Sequence, residues 1–531
     1  MKQTQTKVIL FSAIFFTLFD NFIFFSKTYE VFQNIPFMIG IGIVLTSVMV
    51  LLFSLILNKW TLKPILIILF ISSGAVSYFM QAYGVVIDDK MLQNMLETDT
   101  KEAGDLLNIT LFIYIFLLGI IPSIILYKTK IIYQPLKKEI IDRLKYIIGS
   151  MIIIFITLFI FSKTFTSFFR EHKPLRYYTN PTFYIYNIGK FINQRYIKKP
   201  LPFKKIGVDA KLKNTKQQKL IIFVLGEAAR YDHFGLNGYE RDTTPLVSKE
   251  NIINFPKLYS CGTETAVSVP CMFSPYDRTE YKDAKAKSTE SVIDVLNRAG
   301  VNILWRDNDS GDKKVASRIK FYQDFNHDNN SKYCTKKDGC LDDVLFVGLQ
   351  KWIDEVNNSK PIFIVLHTKG SHGPAYYKRY PKKFEKFKPV CKTNQLQNCK
   401  QQEVVNGYDN TILYTDYILD KTIKFLKKNE NKYAVGMYYM ADHGESLGEN
   451  GIYLHGYPYF IAPEAQKHPA SIAWFGENFG INIECMKKEA KNRFSHDNLF
   501  STILGLVGVD TKIYNPKKDI FKKCYNNEKK E

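Results

Sequence analysis

Up to about residue 165, this 531-residue chain runs almost without charge through five long apolar stretches, at residues 8–25, 36–57, 64–83, 106–127 and 146–165. Each is close to the roughly 20 residues a helix needs to cross about 30 Å of hydrocarbon. The first is long and aromatic and lacks a small-residue cleavage site, so it is expected to stay as an anchor rather than leave as a signal peptide. Beyond residue 205 the pattern changes. Short β-rich runs ("LIIFVL", "VNILW", "IFIVLH", "YAVGMYYM", "SIAWFG") alternate with helical stretches such as "SVIDVLNRAG" and "TILYTDYILDKTIKFLKK". That alternation predicts an α/β domain with a mostly parallel central sheet. In such sheets chemistry gathers beyond the carboxyl ends of the strands. Between the two parts, residues 166–205 interleave aromatics with Arg and Lys, a pattern suited to a membrane interface. The expected division is a five-helix transmembrane domain at 1–165, an amphipathic interfacial linker at 166–205, and a catalytic domain at 206–531.

Charge orients the predicted spans. Lys2 and Lys7 precede the first run, Lys59 and Lys63 lie in the second loop, and Lys128, Lys130, Lys137, Lys138, Arg143 and Lys145 crowd the fourth. The third loop, "GVVIDDKMLQNMLETDTKEAGD", is acidic. Basic loops stay cytoplasmic, so five spans place the C-terminal domain outside. The net charge of +21 would draw such a domain toward an anionic leaflet; a nucleic-acid partner does not fit an external, tethered domain.

The cysteines agree with that topology. All eight follow residue 260. Cys261 and Cys271, Cys334 and Cys340, and Cys391 and Cys399 form three close pairs, and Cys485 and Cys524 are left for a fourth. None has the C-x2-C spacing of a zinc ribbon, and disulfides require an oxidising compartment.

Chemistry-bearing residues follow the predicted strands. Glu227 comes after "LIIFVL", His372 after "IFIVLH", and Asp442, His443 and His455 after "YAVGMYYM". A mixed carboxylate and imidazole set favours zinc over magnesium or calcium. Zinc lowers the pKa of a bound hydroxyl, and "YSCGTETAVSVPCMF" holds three hydroxyls, Thr263, Thr265 and Ser268, between two cysteines. Spacing does not choose among them. Asp20 and Asn21 are polar groups inside an apolar run and hence functional candidates, either orienting a lipid headgroup or tying helices together. His172, His233, His327, His367, His468 and His496 are given structural places, with His496 in "SHDN" the most open.

The blocks "GEAARYDHFGLNGYERDTTP", "CGTETAVSVPCMFS", "WRDNDSGDKK", "TKGSHGPAYYKRYP", "YDNTILYTDYIL", "ADHGESLGENGIYLHG" and "SHDNLF" resemble, in order, those of the lipid A phosphoethanolamine transferases of the alkaline phosphatase superfamily. The third loop and "REHKPLRYYTNP" resemble the family too. One departure is Ala228, where the family often has Thr, at a position that is not a ligand. The resemblance implies an alkaline-phosphatase/sulfatase-like α/β/α domain. It also implies a tightly bound zinc ion held by Glu227, Thr265, Asp442 and His443, with Thr265 as nucleophile. His372 and His455 would hold substrate phosphate, a second zinc or a proton in transfer, and Asp309 and Lys313 would line the phosphate pocket. The implied enzyme is a monomer in a bacterial inner membrane with its catalytic domain in the periplasm. It would move phosphoethanolamine from phosphatidylethanolamine to lipid A and so confer polymyxin resistance. The same fold could serve another acceptor (core sugar, glycan or protein) or another donor, as in a glycerophosphotransferase.

Overall fold

The computed structural model describes residues 2–97, 100–199, 201–214, 217–325, 331–335 and 338–526; His327 lies outside the described residues. The chain forms two compact units: Met1–Leu92 with Leu107–Arg195, and Gln93–Leu106 with Tyr196–Glu531.

The first unit is helical. Ile35–Ile56, Leu62–Tyr83, Ile109–Lys128 and Leu136–Ile160 are each long and apolar enough to cross a bilayer. The first apolar run is broken rather than continuous: Gln5–Phe19 and Phe22–Phe32 meet at a bend of 57°. The break falls at Asp20 and Asn21, both buried. The Asn21 amide donates to the carbonyls of Phe16 and Asn180, and the Asn180 N–H returns to Asn21 Oδ1 at 2.9 Å. Asn180 Nδ2 donates to Ser77 Oγ at 2.9 Å, and Ser77 Oγ donates to Asp20 Oδ1 at 3.2 Å. Since hydrocarbon offers no hydrogen bonds, these groups serve one another, and the structure puts Asp20 and Asn21 to use in joining helices.

Small residues let two spans approach closely. A Cβ on Gly119 would sit 2.9 Å from the Ile71 Cα, so only glycine fits there. The last span starts ten residues before the apolar run does, at Leu136. Its extra turns are amphipathic and supported by an Arg143–Glu139 pair at 3.0 Å. Lys2–Thr4 pairs in parallel with residues 130–132, and Lys63 Nζ donates to the Tyr127 carbonyl at 2.8 Å. The basic N-terminus and the second and fourth loops therefore share one face, as their charge predicts. Residues 166–195 are mostly helical. They continue as Ser162–Glu171 and Thr182–Ile192 within this unit, where Lys190 pairs with Asp89 at 2.7 Å.

The second unit is built on a seven-stranded sheet. Its strands are β1 (Lys219–Gly226), β2 (Ile253–Asn254), β3 (Asn302–Asp307), β4 (Phe321–Asp324), β5 (Ile362–His367), β6 (Ala434–Ala441) and β7 (Ser471–Phe475). They lie in the order β2-β7-β6-β1-β5-β3-β4. The run from β6 to β4 is parallel, while β7 runs antiparallel to both of its neighbours, β6 and β2. The central strands are apolar on both faces and buried, as expected of a sheet covered by helices on each side. Register aligns the carboxyl ends of the central strands. Ala441 is opposite Gly226, and His367 is opposite Leu225, so three strands end side by side.

All four cysteine pairs are bonded, Cys485 to Cys524 included. Gln93–Leu106, read from sequence as a loop of the membrane part, belongs to this unit. Glu97 pairs with Lys287 at 2.9 Å, and Asp105 pairs with Lys378 at 2.7 Å and Arg379 at 3.0 Å.

Candidate metal centre and nucleophile

The chain leaves β1 through a sharp turn. Ala228 adopts φ +55°, a left-handed conformation that costs a residue with a Cβ about 1 kcal/mol. The surroundings hold it there: its N–H donates to Asp442 Oδ1 at 3.2 Å, and its carbonyl accepts from Tyr408 Oη at 2.7 Å. This elbow turns Glu227 toward the end of β6. Gly370, at φ +50°, closes the other side; a Cβ there would lie 2.7 Å from the Glu227 carbonyl.

Thr265 opens the helix Thr265–Met272, whose far end carries Cys271, the disulfide partner of Cys261. The loop before it is fixed on all sides. Gly262 N–H donates to Ser268 Oγ, and Thr263 Oγ1 donates to the Tyr457 carbonyl and contacts Glu264. Of the three hydroxyls, two are thus spent on the loop itself. Thr265 Oγ1 instead donates to Glu227 Oε2 at 3.0 Å and lies 3.5 Å from His443 Nε2. His496 joins this loop to the sheet: its Nδ1 accepts from Cys261 N–H, and its Nε2 donates to the carbonyl of Ala441. Burial holds it neutral, its pKa down at about 4.

Around Thr265 the acceptors outnumber the donors. His443 Nδ1 donates to the Gly444 carbonyl at 2.8 Å, which leaves the Nε2 lone pair facing inward. That lone pair is 3.3 Å from Glu227 Oε1 and 3.4 Å from Asp442 Oδ2. Asp442 Oδ2 is buried and makes no hydrogen bond. Burial raises the pKa of Asp442 and lowers that of His443 to about 3, the latter with help from nearby His455. Two buried carboxylates, a neutral imidazole and a hydroxyl with ligand atoms converging on one point fit a divalent cation of the zinc class. The set Glu227, Asp442, His443 has its ligand atoms within 4.8 Å of one another.

The other expected residues lie around this centre. The His455 ring is 4.3 Å from His443 and 5.4 Å from His372, and its Nδ1 is 3.4 Å from Glu445. Arg379 Nε donates to the His372 carbonyl at 2.9 Å. Lys313 Nζ donates to the carbonyls of Ser310 and Glu97. Asp309 is fully buried, 3.4 Å from Lys369 Nζ. Although burial alone would raise its pKa, Lys369, His367, His372 and Lys313 together hold its carboxyl well below the usual range.

Comparison with known proteins agrees with both units. Residues 45–196 match the family described as phosphoethanolamine transferase EptA/EptB, and residues 219–509 match the sulfatase family. Phosphatidylethanolamine transferase Mcr-1 of Escherichia coli is 41% identical over 94% of each chain. The chain belongs to the phosphoethanolamine transferase family. Within that family, phosphoethanolamine transferase EptA of E. coli K12 is 37% identical over 97% of this transferase and 96% of its own length. The solved lipooligosaccharide phosphoethanolamine transferase A of Neisseria meningitidis superposes with a TM-score of 0.95 at 33% identity, covering 99% of this transferase and 100% of that chain. The transferase thus shares a whole architecture with an integral membrane enzyme.

Sequence reasoning passes over several residues of this rim. His367 is the last residue of β5 rather than one that comes after it, yet it lies with Asp309 and Glu227. The rule that strand ends carry chemistry finds it when applied one position earlier. Glu445, two residues beyond His443, and Lys369, between Thr368 and Gly370, carry the same signal.

Proposed function

We propose that this transferase takes phosphoethanolamine from phosphatidylethanolamine onto Thr265 and passes it to a phosphate of lipid A. One observation carries the reading: Thr265 is the hydroxyl of its loop that meets Glu227 and His443, which lie in one cluster with Asp442. The named substrates of its relatives supply the donor and suggest the acceptor. Zinc held by Glu227, Thr265, Asp442 and His443 would supply the Lewis acidity that makes a threonine hydroxyl nucleophilic near neutral pH.

The chain's own groups do the rest. Thr265 Oγ forms a bond to phosphorus as the bond to the glyceryl oxygen breaks, and the departing oxygen takes a proton from His372 or His455 acting as general acid. The proton lost by Thr265 restores that histidine. Diacylglycerol leaves a phosphoethanolamine-threonine, and an acceptor phosphate oxygen then displaces Thr265, which recovers a proton. Lys313 offsets charge on the phosphoryl oxygens, where positioning and electrostatics dominate. Asp309, itself anionic, lines the pocket by holding cations rather than by touching phosphate. Thr265 is the first residue of its helix, and a helix N-terminus is a favourable place for negative charge.

The expected division at 1–165, 166–205 and 206–531 is adjusted by the two units, residues 93–106 joining the catalytic part and 166–195 the helical part; the helical part would lie in the inner membrane and the catalytic part in the periplasm. The enzyme acts as a monomer. Adding a cationic amine to lipid A lowers surface negative charge and weakens binding of polymyxin and similar peptides. Mass spectrometry of lipid A from cells with the wild-type chain, with Thr265→Ala and with neither tests this. A phosphoethanolamine mass increment in the wild type alone is expected; its absence would overturn lipid A as acceptor. Labelled phosphatidylethanolamine and phosphatidylglycerol, compared as donors, test the other half.

A further inference from the structure

We infer that Glu227, Asp309 and His367 form a second divalent-cation site, beside the one at Thr265 with which it shares Glu227, and distinct from the His372–His455 pair. The three residues are fully buried, with ligand atoms within 4.8 Å of one another. His367 is set up as a ligand. Its Nδ1 donates to Asp307 Oδ2 at 2.8 Å, and Asp307 is itself fixed by Trp305 Nε1 at 2.9 Å and by the N–H groups of Asp309 and Gly311 at 3.0 Å. A histidine whose far nitrogen is anchored on a carboxylate presents a more basic, oriented lone pair, the usual support of a metal-bound imidazole. Here that lone pair, on Nε2, makes no hydrogen bond and lies 3.7 Å from Asp309 Oδ2. The Asp309 Oδ1 atom likewise makes no hydrogen bond.

Lys369 marks where the charge belongs. Its ammonium is 3.4 Å from Asp309 Oδ1 and occupies the positive position of the site on a flexible stem. One imidazole and two carboxylates suit zinc or a similar borderline ion. Because Lys369 must move aside, the ion binds more weakly than the one at Thr265. Glu227 lies in both ligand sets, so the two sites would share it. The inference rests on the reading of Glu227, Asp442 and His443 as ligands of the first ion.

The test uses full-length protein in detergent, stripped with chelator and titrated with Zn2+, with bound ions counted by equilibrium dialysis and mass spectrometry. His367→Gln is expected to lose one ion, the weaker, relative to wild type, while His443→Gln loses the tighter one. Asp307→Asn keeps all three ligands and is expected to weaken the same ion by about 10- to 100-fold. Lys369→Met is expected to tighten it severalfold, and thermal unfolding checks that each variant folds. If His367→Gln misfolds, the Asp307 and Lys369 variants decide. An ion lost in His443→Gln but not in His367→Gln, or affinities unchanged in Asp307→Asn and Lys369→Met, overturns the second site and leaves the reading of Thr265 intact. Loss in neither histidine variant overturns both.

Discussion

The two units place polar groups under opposite rules. In the membrane unit Asn21, Asn180, Ser77 and Asp20 are rare polar residues, and hydrogen bonds among them link separate helices. In the catalytic unit Glu227 and Asp442 are buried with acceptor facing acceptor around the His443 Nε2 lone pair, and Asp442 leaves a carboxylate oxygen without a hydrogen bond among the described residues. The first arrangement joins donors to acceptors across helices, leaving one oxygen each of Asp20 and Asn180 without a hydrogen bond among the described residues, and reads as architecture. The second is complete only when a cation joins it, and reads as chemistry. Burial is the same in both; what separates them is whether donors are interleaved with the acceptors.

That contrast can be broken at its strongest point. Thr265→Ala is expected to reduce transfer about a thousandfold or more, measured with labelled phosphatidylethanolamine, while the melting temperature stays near wild type. Residual transfer close to wild type would remove Thr265 from the chemistry. Metal removal should act on the same unit. Chelation is expected to abolish transfer and lower the melting temperature by a few degrees, and added zinc should restore both, because a ligand held only by the folded state stabilises it.

Disulfides sharpen the comparison within the catalytic unit. Cys485–Cys524 closes a separation of 39 residues and Cys261–Cys271 one of 10. In the loop-entropy account, opening the longer one costs about 1 kcal/mol more stability, within a total of about 3–4 kcal/mol. Activity should show the reverse order, since Cys261–Cys271 brackets Thr265; transfer rates and denaturant titrations of the paired Cys→Ser variants would show it. The smallest effect belongs to the membrane unit. Asn180→Ala is expected to cost about 1 kcal/mol, as interhelical hydrogen bonds in bilayers do, with transfer by the folded fraction unchanged. A loss of activity without a loss of stability would move that network from architecture to function.

Much of the molecule is legible in the chain itself. The apolar runs locate the three middle spans to within about a turn, and Glu227, Asp442 and His443 announce themselves by coming directly after apolar strands. What escapes has physical causes. The break at Asp20 is invisible to a hydropathy window because Phe16, Phe19 and Phe22 surround it. Residues 136–145 look like a loop because their charges hide a helical turn built on Glu139 and Arg143. His367 looks like core because it closes an apolar strand, and its partner Asp307 lies 60 residues away in sequence. Ala228 looks inert, yet its backbone forms the elbow that aims Glu227. Gln93–Leu106 reads as part of the wrong unit because the groups that claim it, Lys287, Lys378 and Arg379, come some 190 to 270 residues later.

The place of Gln93–Leu106 bears on how the enzyme can be taken apart. A soluble fragment cut to begin after the final span would carry the whole sheet, all four disulfides and Thr265, yet would lack a piece of its own compact unit. Lys378 and Arg379 would lose Asp105, and Lys313 would lose the Glu97 carbonyl, one bond away from the residues that handle phosphate. Such a fragment would be a faithful sample of the metal chemistry and an incomplete one of substrate handling.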